Sequence, residues 1–356
     1  MSVMDKDDAE VLEGLSSQLA MRTLPRLGTL YSALIAAAIT AVIVVVTPAA
    51  GIAGSLVIWY LMYMLVQTVW SFRVEGRRFA VDRLATTLVW TAFLIALTAL
   101  VWILVSVTIR GLSAFSWDFL TGTMRNVSPL REGGGLAHAL VGTLLQVGMA
   151  AVIAVPLSIL VAIYLVEYGR GKLATFVTFF VDVMTGVPSI VAGLFIYTFW
   201  VLTFGFERSG FAASLALTIL MIPVIVRSTE EMLKIVPNDL REASYALGVP
   251  KWKTIVRIVI PTAFGGIVTG VMLSIARVAG ETAPLLLTTF LSQSMNPNLF
   301  TGAQASVPTF IWDQISSGTP ASIDRAWAGA LVLIIVVVMF YALARLVAKL
   351  TAPARQ

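Results

Sequence analysis

The amino-acid sequence predicts an all-α, polytopic transmembrane helical bundle of about eight spans. Of its 356 residues 58% are hydrophobic and only 12% are charged, whereas an ordinary soluble domain is roughly a quarter charged. Eight apolar stretches approach or exceed the roughly 20 residues that cross a bilayer as a helix. Lys and Arg are concentrated in alternate connections between these stretches, which is typical of a chain that crosses a membrane repeatedly.

The predicted spans follow one another along almost the whole chain. Their bounds are 27–47, 51–72, 84–109, 136–166, 173–204, 211–229, 262–289 and 326–348. A cleaved signal peptide is the alternative for the first, but its apolar core runs to about 20 residues and that of a signal peptide usually to about 7–15. The fifth contains Gly186, Pro188 and Gly193, which predicts a break whose freed backbone groups face protein or a wet cavity.

Basic residues predict the orientation. If the N-terminus is cytoplasmic, 18 of the 24 Lys and Arg residues fall in cytoplasmic segments and five on the other side, while Arg277 lies within a span. Cytoplasmic loops carry the excess of Lys and Arg. We therefore expect both termini in the cytoplasm.

Composition excludes several kinds of site. The chain has no cysteine and one histidine, His138, so thiolate and histidine-cluster metal sites are not expected. The spans contain no paired carboxylates to support a membrane-embedded enzyme. The net charge of +5 does not indicate nucleic-acid binding, because the basic residues flank apolar runs.

The longest cytoplasmic segment, 230–261, predicts an elbow of two helices. Asp239, or Asn238 before it, can cap a helix at 240–247, and Gly248 can end that helix. Residues 251–260 alternate basic with apolar side chains and are typical of a helix at a membrane surface. Such an elbow could dock on a soluble partner, although composition alone favours an ordinary basic loop.

The spacing in this segment resembles the EAA signature of ABC importer permeases, E-A-A-x-x-x-G-x9-I-x-L-P. Here Glu242-Ala243-Ser244 is followed, after three intervening residues, by Gly248. After nine more intervening residues comes Ile258-Val259-Ile260-Pro261. Ser244 and Ile260 depart from the family form, and both changes are small. The resemblance implies the type I (MetI-like) ABC importer permease fold. It also implies ATPase coupling by Glu242, Ala243, Ser244, Gly248 and Pro261.

No nucleotide-binding loop of the form G-x-x-x-x-G-K-[ST] occurs in the sequence, and that loop is what cradles ATP phosphates in P-loop proteins. We therefore expect a non-catalytic subunit without a cofactor of its own. ATP and Mg²⁺ would be bound by a separate ATPase chain.

Two ionisable residues, Arg277 and Glu281, fall within the seventh predicted span. Charges in lipid cost several kcal/mol (on the order of 3 on insertion scales), so they are expected to face protein or a wet pathway. Their i, i+4 spacing predicts one helix face. They could form a salt bridge that locks the span to its neighbours, or line a path for an anion.

Two further positions have open alternatives. Arg227, at the cytoplasmic end of the sixth span, is either a topology anchor or, because its planar fork suits tetrahedral oxyanions, an anion ligand. Ser189, after Pro188, either satisfies the helix kink or contacts an oxyanion.

Four motifs resemble the PstA branch of phosphate permeases, and they cover roughly residues 80–350. They are Arg277…Gly280-Glu281-Thr282-Ala283-Pro284-Leu285-Leu286, residues 186–191, residues 163–168 and residues 222–231. The resemblance implies an importer of inorganic phosphate whose substrate pathway includes Arg227, Arg277, Glu281, Thr282 and Ser189.

The predicted organisation has four parts. It comprises a cytoplasmic tail at 1–26, two additional spans at 27–79, a six-span permease core at 80–350 that contains the coupling loop 230–261, and a cytoplasmic tail at 351–356. The additional spans exceed the usual family pattern, and no role is assigned to them.

The resemblance implies an assembly in the bacterial inner membrane. Its other members would be a PstC-like second permease, two PstB-like ATPase subunits and a PstS-like phosphate-binding protein outside. The alternatives are an importer of another oxyanion (sulfate, molybdate or phosphonate) and a secondary transporter driven by an ion gradient. The coupling loop argues against the latter.

Overall fold

The computed structural model describes residues 24–25, 27–46 and 51–351, and this part of the chain is helical without strands. The predicted tails at 1–26 and 351–356 lie almost entirely outside it. The helices are α1 (Gly28–Val46), α2 (Gly51–Val74), α3 (Arg77–Ala114), α4 (Trp117–Thr121), α5 (Ala137–Ile163), α6 (Gly171–Thr185), α7 (Ser189–Ile196), α8 (Gly210–Ile235), α9 (Asn238–Ala246), α10 (Lys251–Thr254), α11 (Ile260–Ala279), α12 (Ala283–Thr288), α13 (Val307–Ser317) and α14 (Pro320–Thr351). π-helical turns extend α5 (Tyr164–Tyr168) and α7 (Tyr197–Thr203) and join α10 to α11 (Ile255–Val259).

The predicted count of about eight spans is confirmed. Within the described residues, seven helices are long and apolar enough to cross a membrane, or eight if α6 and the extended α7, bent by 107°, count as one span. The break lies at 186–188, since Pro188 lacks an N–H and disfavours helix at the residue before it. Gly193, in contrast, lies inside α7 and does not interrupt it.

The seventh span differs from its predicted bounds of 262–289. One helix runs from Lys251 to Ala279, so Pro261 does not separate a surface element from the span as expected. The intervening π turn, in which the Ile260 N–H donates to the Ile255 carbonyl five residues earlier, is the kind of local adjustment that accommodates proline in membrane helices. At the other end the helix stops before Gly280, and α12 is a separate short helix.

The described residues form two compact units, which divide inside α3 between Ile103 and Leu104. In the first unit α1 packs on α2, where the Trp59 indole donates to the Ala33 carbonyl (3.1 Å). The connection after α2 holds one buried carboxylate, Glu75, which accepts from Arg83 through Nε and Nη2 (both 2.7 Å). Its other donors are the Ser71 hydroxyl and the Leu24 amide, each at 2.7 Å.

Because of the Glu75 carboxylate, we expect the stability of the fold to depend on pH in the acid range. The hydrogen bond from Arg83, with those from Leu24 and Ser71, lowers the pKa of Glu75 from 4.5 to about 2. A carboxylate with a depressed pKa stabilises the fold above its unfolded pKa, and that contribution is lost as the pH falls through the folded one. Thermal unfolding followed between pH 5 and 2 is therefore expected to show a stability loss that the Glu75→Gln variant lacks. Parallel curves for both proteins would contradict this.

The second unit is organised around α8, the most buried of its long helices. Helix α8 packs against α5, α6, α7, α11 and α12, and small buried residues such as Ala212, Ala213 and Ala216 let these backbones approach closely. Serines from two neighbours bond to its carbonyls: Ser158 on α5 to Ile222 (3.3 Å) and Ser274 on α11 to Met221 (3.4 Å). These contacts hold together the segments that carry the predicted site residues.

Candidate functional site

Helices α7 and α12 approach each other closely at one glycine. A Cβ on Gly193 would lie 2.5 Å from the Pro284 Cα and 2.9 Å from the Pro284 carbonyl oxygen. Ser189 begins α7 one turn before Gly193, while Glu281 and Thr282 lie in the short link just before α12. The contact therefore brings three of the five predicted pathway residues into one region of the second unit.

Arg277 and Glu281 do not form the salt bridge that was one of the two alternatives for them, among the residues that the structure describes. Helix α11 ends at Ala279, and the Gly280 amide closes the last turn on the Arg277 carbonyl (3.3 Å). The chain then leaves the helix, so the i, i+4 spacing no longer puts the two side chains on one face. Within the described residues Arg277 is exposed and has no carboxylate within 4.0 Å.

The other predicted cation, Arg227, is already bound by carboxylates. Its Nη1 donates to Glu230 (2.7 Å), and its Nη2 pairs with Asp182 on α6. Glu230 also pairs with Lys234 (2.9 Å). Arg227 thus links α6 to α8 and, unlike Arg277, carries a largely balanced charge. Asp182 was not among the predicted site residues, although an acidic residue inside an apolar stretch indicates a functional position.

Ser189 does not satisfy the kink as one alternative suggested. In the described part of the chain its hydroxyl has no hydrogen-bond partner, whereas the break is closed by the Val191 amide, which donates to the Pro188 carbonyl (2.9 Å). Half-buried and unpaired, the hydroxyl is free to contact a ligand.

The predicted elbow between α8 and α11 is confirmed, and its turn is set by Gly248. Gly248 has φ +74° and follows α9 in a Schellman arrangement, since its amide donates to the Tyr245 carbonyl (2.9 Å) and the Val249 amide to the Ser244 carbonyl (3.2 Å). We use the name coupling elbow for α9, this turn and α10, residues 238–254.

The start of the elbow differs from the prediction. Helix α9 begins at Asn238 after Pro237, without a side-chain cap from Asn238 or Asp239. The Asn238 amide oxygen instead accepts from Arg241 (3.3 Å). Pro237, with φ −58°, directs the chain into the first turn because its ring fixes the angle that the turn needs.

The residues predicted to couple to an ATPase include exposed and buried positions. Glu242 and Ala243 are exposed, and Leu247 beside them leaves 83% of its surface uncovered. Ser244 is buried and hydrogen-bonds the Thr254 hydroxyl (2.8 Å), which joins α9 to α10. The elbow therefore exposes an acidic and an apolar side chain, while Ser244 joins its two helices internally.

A cavity of about 450 Å³ lies apart from the predicted pathway residues. It is lined by Phe119, Glu132, Asp324 and Arg325 among others. Arg325 is buried and donates to Gln314 (2.7 Å) and to the carbonyls of Pro129, Arg131 and Gly133 (2.7–3.1 Å). It therefore holds the connection before α5 in place, and none of the predicted pathway residues lines this cavity. Across the described residues no group of three or more His, Cys, Asp and Glu could hold a metal ion.

The chain matches known transport proteins. Residues 154–354 match the family model described as "Binding-protein-dependent transport system inner membrane component". The protein named phosphate transport system permease protein PstA 1 of Mycobacterium tuberculosis (strain CDC 1551 / Oshkosh) is 53% identical over 262 residues, which are 73% of this chain and 86% of that protein.

A relative of lower sequence identity and one solved structure are also transport proteins similar to this chain. Phosphate transport system permease protein PstA of Yersinia pestis is 41% identical over 75% of this chain and 89% of that protein. The fold is similar to a chain of the inward-facing MetNI methionine ABC transporter, with a TM-score of 0.50 and 20% identity over 62% of this chain and 95% of that one.

Proposed function

The chain belongs to the family of binding-protein-dependent transport inner membrane components, and we propose that it is the PstA-type permease subunit of an ABC importer for inorganic phosphate. The observation that carries this proposal is the coupling elbow, which leaves both Glu242 and Leu247 exposed. The cargo is supported by relatives that are named phosphate transport permeases.

The elbow suits an ATPase-docking role. A helix with an exposed apolar residue and an exposed carboxylate can fill a groove on a soluble partner and be held there by a charged contact at the rim of the groove. We place ATP and Mg²⁺ on two PstB-like ATPase subunits, because the sequence has no phosphate-cradling loop. In this arrangement the chain itself is a non-catalytic subunit.

The pathway suits a tetrahedral anion. Arg277 supplies a permanent cation whose guanidinium can bond an oxyanion through two N–H groups, and Ser189 and Thr282 supply hydroxyls. Phosphate near neutral pH retains an O–H that sulfate lacks, so the carboxylate of Glu281 can accept a hydrogen bond from phosphate but not from sulfate. A site built around such a bond rejects the analogue that cannot make it.

The proposed transporter contains further subunits besides this chain and the ATPase. Residues 80–350 form the permease core, and a PstC-like second permease completes the path. A PstS-like protein delivers phosphate from outside the bacterial inner membrane, and both termini lie in the cytoplasm, as the distribution of Lys and Arg indicates.

Reconstituted transport tests this function. The complex of this chain with its second permease, ATPase and binding protein is placed in proteoliposomes, and uptake of labelled phosphate, sulfate, molybdate and a phosphonate is measured with ATP or with an ion gradient. Phosphate uptake that requires ATP is expected. Uptake of another oxyanion in preference would overturn the cargo, and uptake driven by a gradient without ATP would overturn the ABC mechanism.

Replacing Gly248 by valine is expected to uncouple ATP hydrolysis from transport. A side chain at φ +74° costs about 1–2 kcal/mol in the left-handed region, although a Cβ at Gly248 meets no atom within 4 Å. The strain therefore reshapes the turn without a clash, and uptake per ATP hydrolysed should fall several-fold.

The matched control is Gly265→Val in α11, where a Cβ also meets nothing within 4 Å but the backbone is helical. Uptake and ATPase rates of both variants are measured on equal amounts of assembled complex. An unchanged ratio in Gly248→Val would show that the turn geometry does not serve coupling.

A further inference from the structure

The cytoplasmic end of α5 carries a buried carboxylate, Glu167, that is not part of the anion pathway. It lies in the π-helical turn Tyr164–Tyr168, and its side chain is only 5% exposed. A buried carboxylate is retained only where it is paired and hydrogen-bonded. Its partners therefore indicate what it is for.

The first partner is Arg241, the residue immediately before the EAA-like signature. Its Nε and Nη2 donate to one Glu167 carboxylate oxygen at 3.1 and 2.9 Å. The same guanidinium donates to the carbonyls of Leu233 (2.9 Å) and Val236 (2.6 Å) at the end of α8. One side chain of α9 thus binds the ends of two membrane helices.

The second partner is Lys251, the first residue of α10. Its ammonium donates to the backbone carbonyl of Glu167 and lies 4.7 Å from the centre of the Tyr168 ring. A cation over an aromatic face is attracted by the ring quadrupole. Both helices of the coupling elbow are therefore attached at the same point of α5.

These contacts form a closed arrangement. Arg241 ties α9 to Glu167, Lys251 ties α10 to Glu167, and Ser244 ties α9 to α10 through Thr254. The elbow cannot rotate or shift without stretching one of the three links. A force on its exposed face is consequently passed to α5, and through the extensive packing of α5 on α8 to the centre of the second unit.

We propose that Glu167 is a positioning residue that clamps the coupling elbow to α5, so that movement imposed by the ATPase on the elbow is transmitted to the anion pathway. This inference rests on the proposed function, because it assumes an ATPase that moves the elbow. It differs from docking, since Glu167 and Arg241 touch this chain and not the ATPase.

The test is uptake per ATP hydrolysed by the assembled transporter in proteoliposomes. Glu167→Gln keeps the shape and one acceptor oxygen but loses the charge that holds Arg241. Uptake per ATP should fall roughly tenfold, the size of effect expected when coupling between two sites is lost, while ATP hydrolysis continues. Arg241→Lys, which keeps the charge but loses the fork, should give a partial defect.

Two exposed or remote carboxylates supply matched controls. Glu231→Gln removes a carboxylate that is 63% exposed and pairs with Lys234 near the elbow, and Glu75→Gln removes the buried partner of Arg83 in the first unit. Both should leave uptake per ATP unchanged. If either control lowers the ratio as much as Glu167→Gln, the effect is not specific to the clamp and the proposal is overturned.

A chemical cross-link between positions 167 and 241 gives a measurement that would not change if the role of Glu167 were merely structural. The chain has no cysteine, so a Glu167→Cys, Arg241→Cys double variant carries one addressable pair. Joining this pair with a short bifunctional maleimide should restore uptake per ATP towards the wild-type ratio. The same reagent on the cysteine-free chain is the control.

Three further results would overturn the clamp: a normal ratio in Glu167→Gln, a parallel fall of ATPase activity and uptake with the amount of assembled complex, or failure of an efficient cross-link to raise the ratio. Failure of the proposed function looks different, because the wild-type complex itself would then show no ATP-dependent phosphate uptake. If the wild type carries another oxyanion, the ratio is measured with that oxyanion and the clamp is tested unchanged.

Discussion

Phosphate uptake is expected to fall ~100-fold in the Arg277→Gln variant while the transporter still assembles. Loss of a hydrogen-bonded charged contact with a ligand costs about 2–5 kcal/mol, and about 2.7 kcal/mol corresponds to 100-fold. The stability effect should be much smaller. Within the described residues Arg277 has no carboxylate within 4.0 Å, and a basic side chain in the last turn of a helix contributes about 0.3–1 kcal/mol through the helix dipole.

The comparison that isolates this effect uses two other arginines. Arg257→Gln changes an exposed cation in the turn before α11 and should leave uptake intact. Arg227→Gln should weaken uptake less than Arg277→Gln and destabilise the complex more, because it leaves Asp182 without its partner and the buried Glu230 with Lys234 alone. Initial uptake rates and thermal unfolding of purified complexes measure both properties. Normal uptake by Arg277→Gln would remove this residue from the pathway.

Replacing Gly193 by valine is expected to abolish uptake and to lower the yield of assembled complex. The new Cβ would lie 2.5 Å from the Pro284 Cα and 2.9 Å from the Pro284 carbonyl oxygen. Both atoms belong to backbone and cannot turn aside as a side chain could, so α7 and α12 must separate. Overpacking of this kind costs about 1–3 kcal/mol, and the separation also displaces Ser189 from Thr282 and Glu281.

Gly148→Val is the control for this variant, because Gly148 is also within a helix and a Cβ there meets no atom within 4 Å. It should assemble and transport normally. Gly193→Ala should be intermediate, since its single methyl already meets Pro284. Wild-type uptake by Gly193→Val would mean that the close approach of α7 to α12 is not needed for transport.

Features set by neighbouring residues could be predicted from the sequence. The break at Pro188 follows from a missing amide and a restricted preceding residue, and the elbow turn follows from the freedom of Gly248 to adopt φ +74°. The number of spans follows from apolar length and from the cost of leaving backbone groups unbonded in lipid. In each case the cause lies within a few residues of its effect.

Predictions that extended a local pattern across a helix end were less successful. The prediction that Arg277 and Glu281 share one helix face assumed that α11 continues through Gly280, and it does not. Pro261 was expected to end an element, but the π turn before it keeps the helix continuous. A periodicity argument is valid only while the helix lasts, and the sequence offers weaker evidence about where a helix stops than about where it exists.

By itself the sequence therefore determined that most of this protein lies in a lipid bilayer and that it is all-helical. It also determined where the coupling elbow lies and which family the chain resembles. Only the tertiary structure decided which charges meet. Arg241 and Glu167 are 74 residues apart, Arg227 and Asp182 are 45 apart, and Gly193 touches Pro284. The physical reason is that ion pairs and close backbone approaches depend on how helices pack in space, which no local spacing encodes.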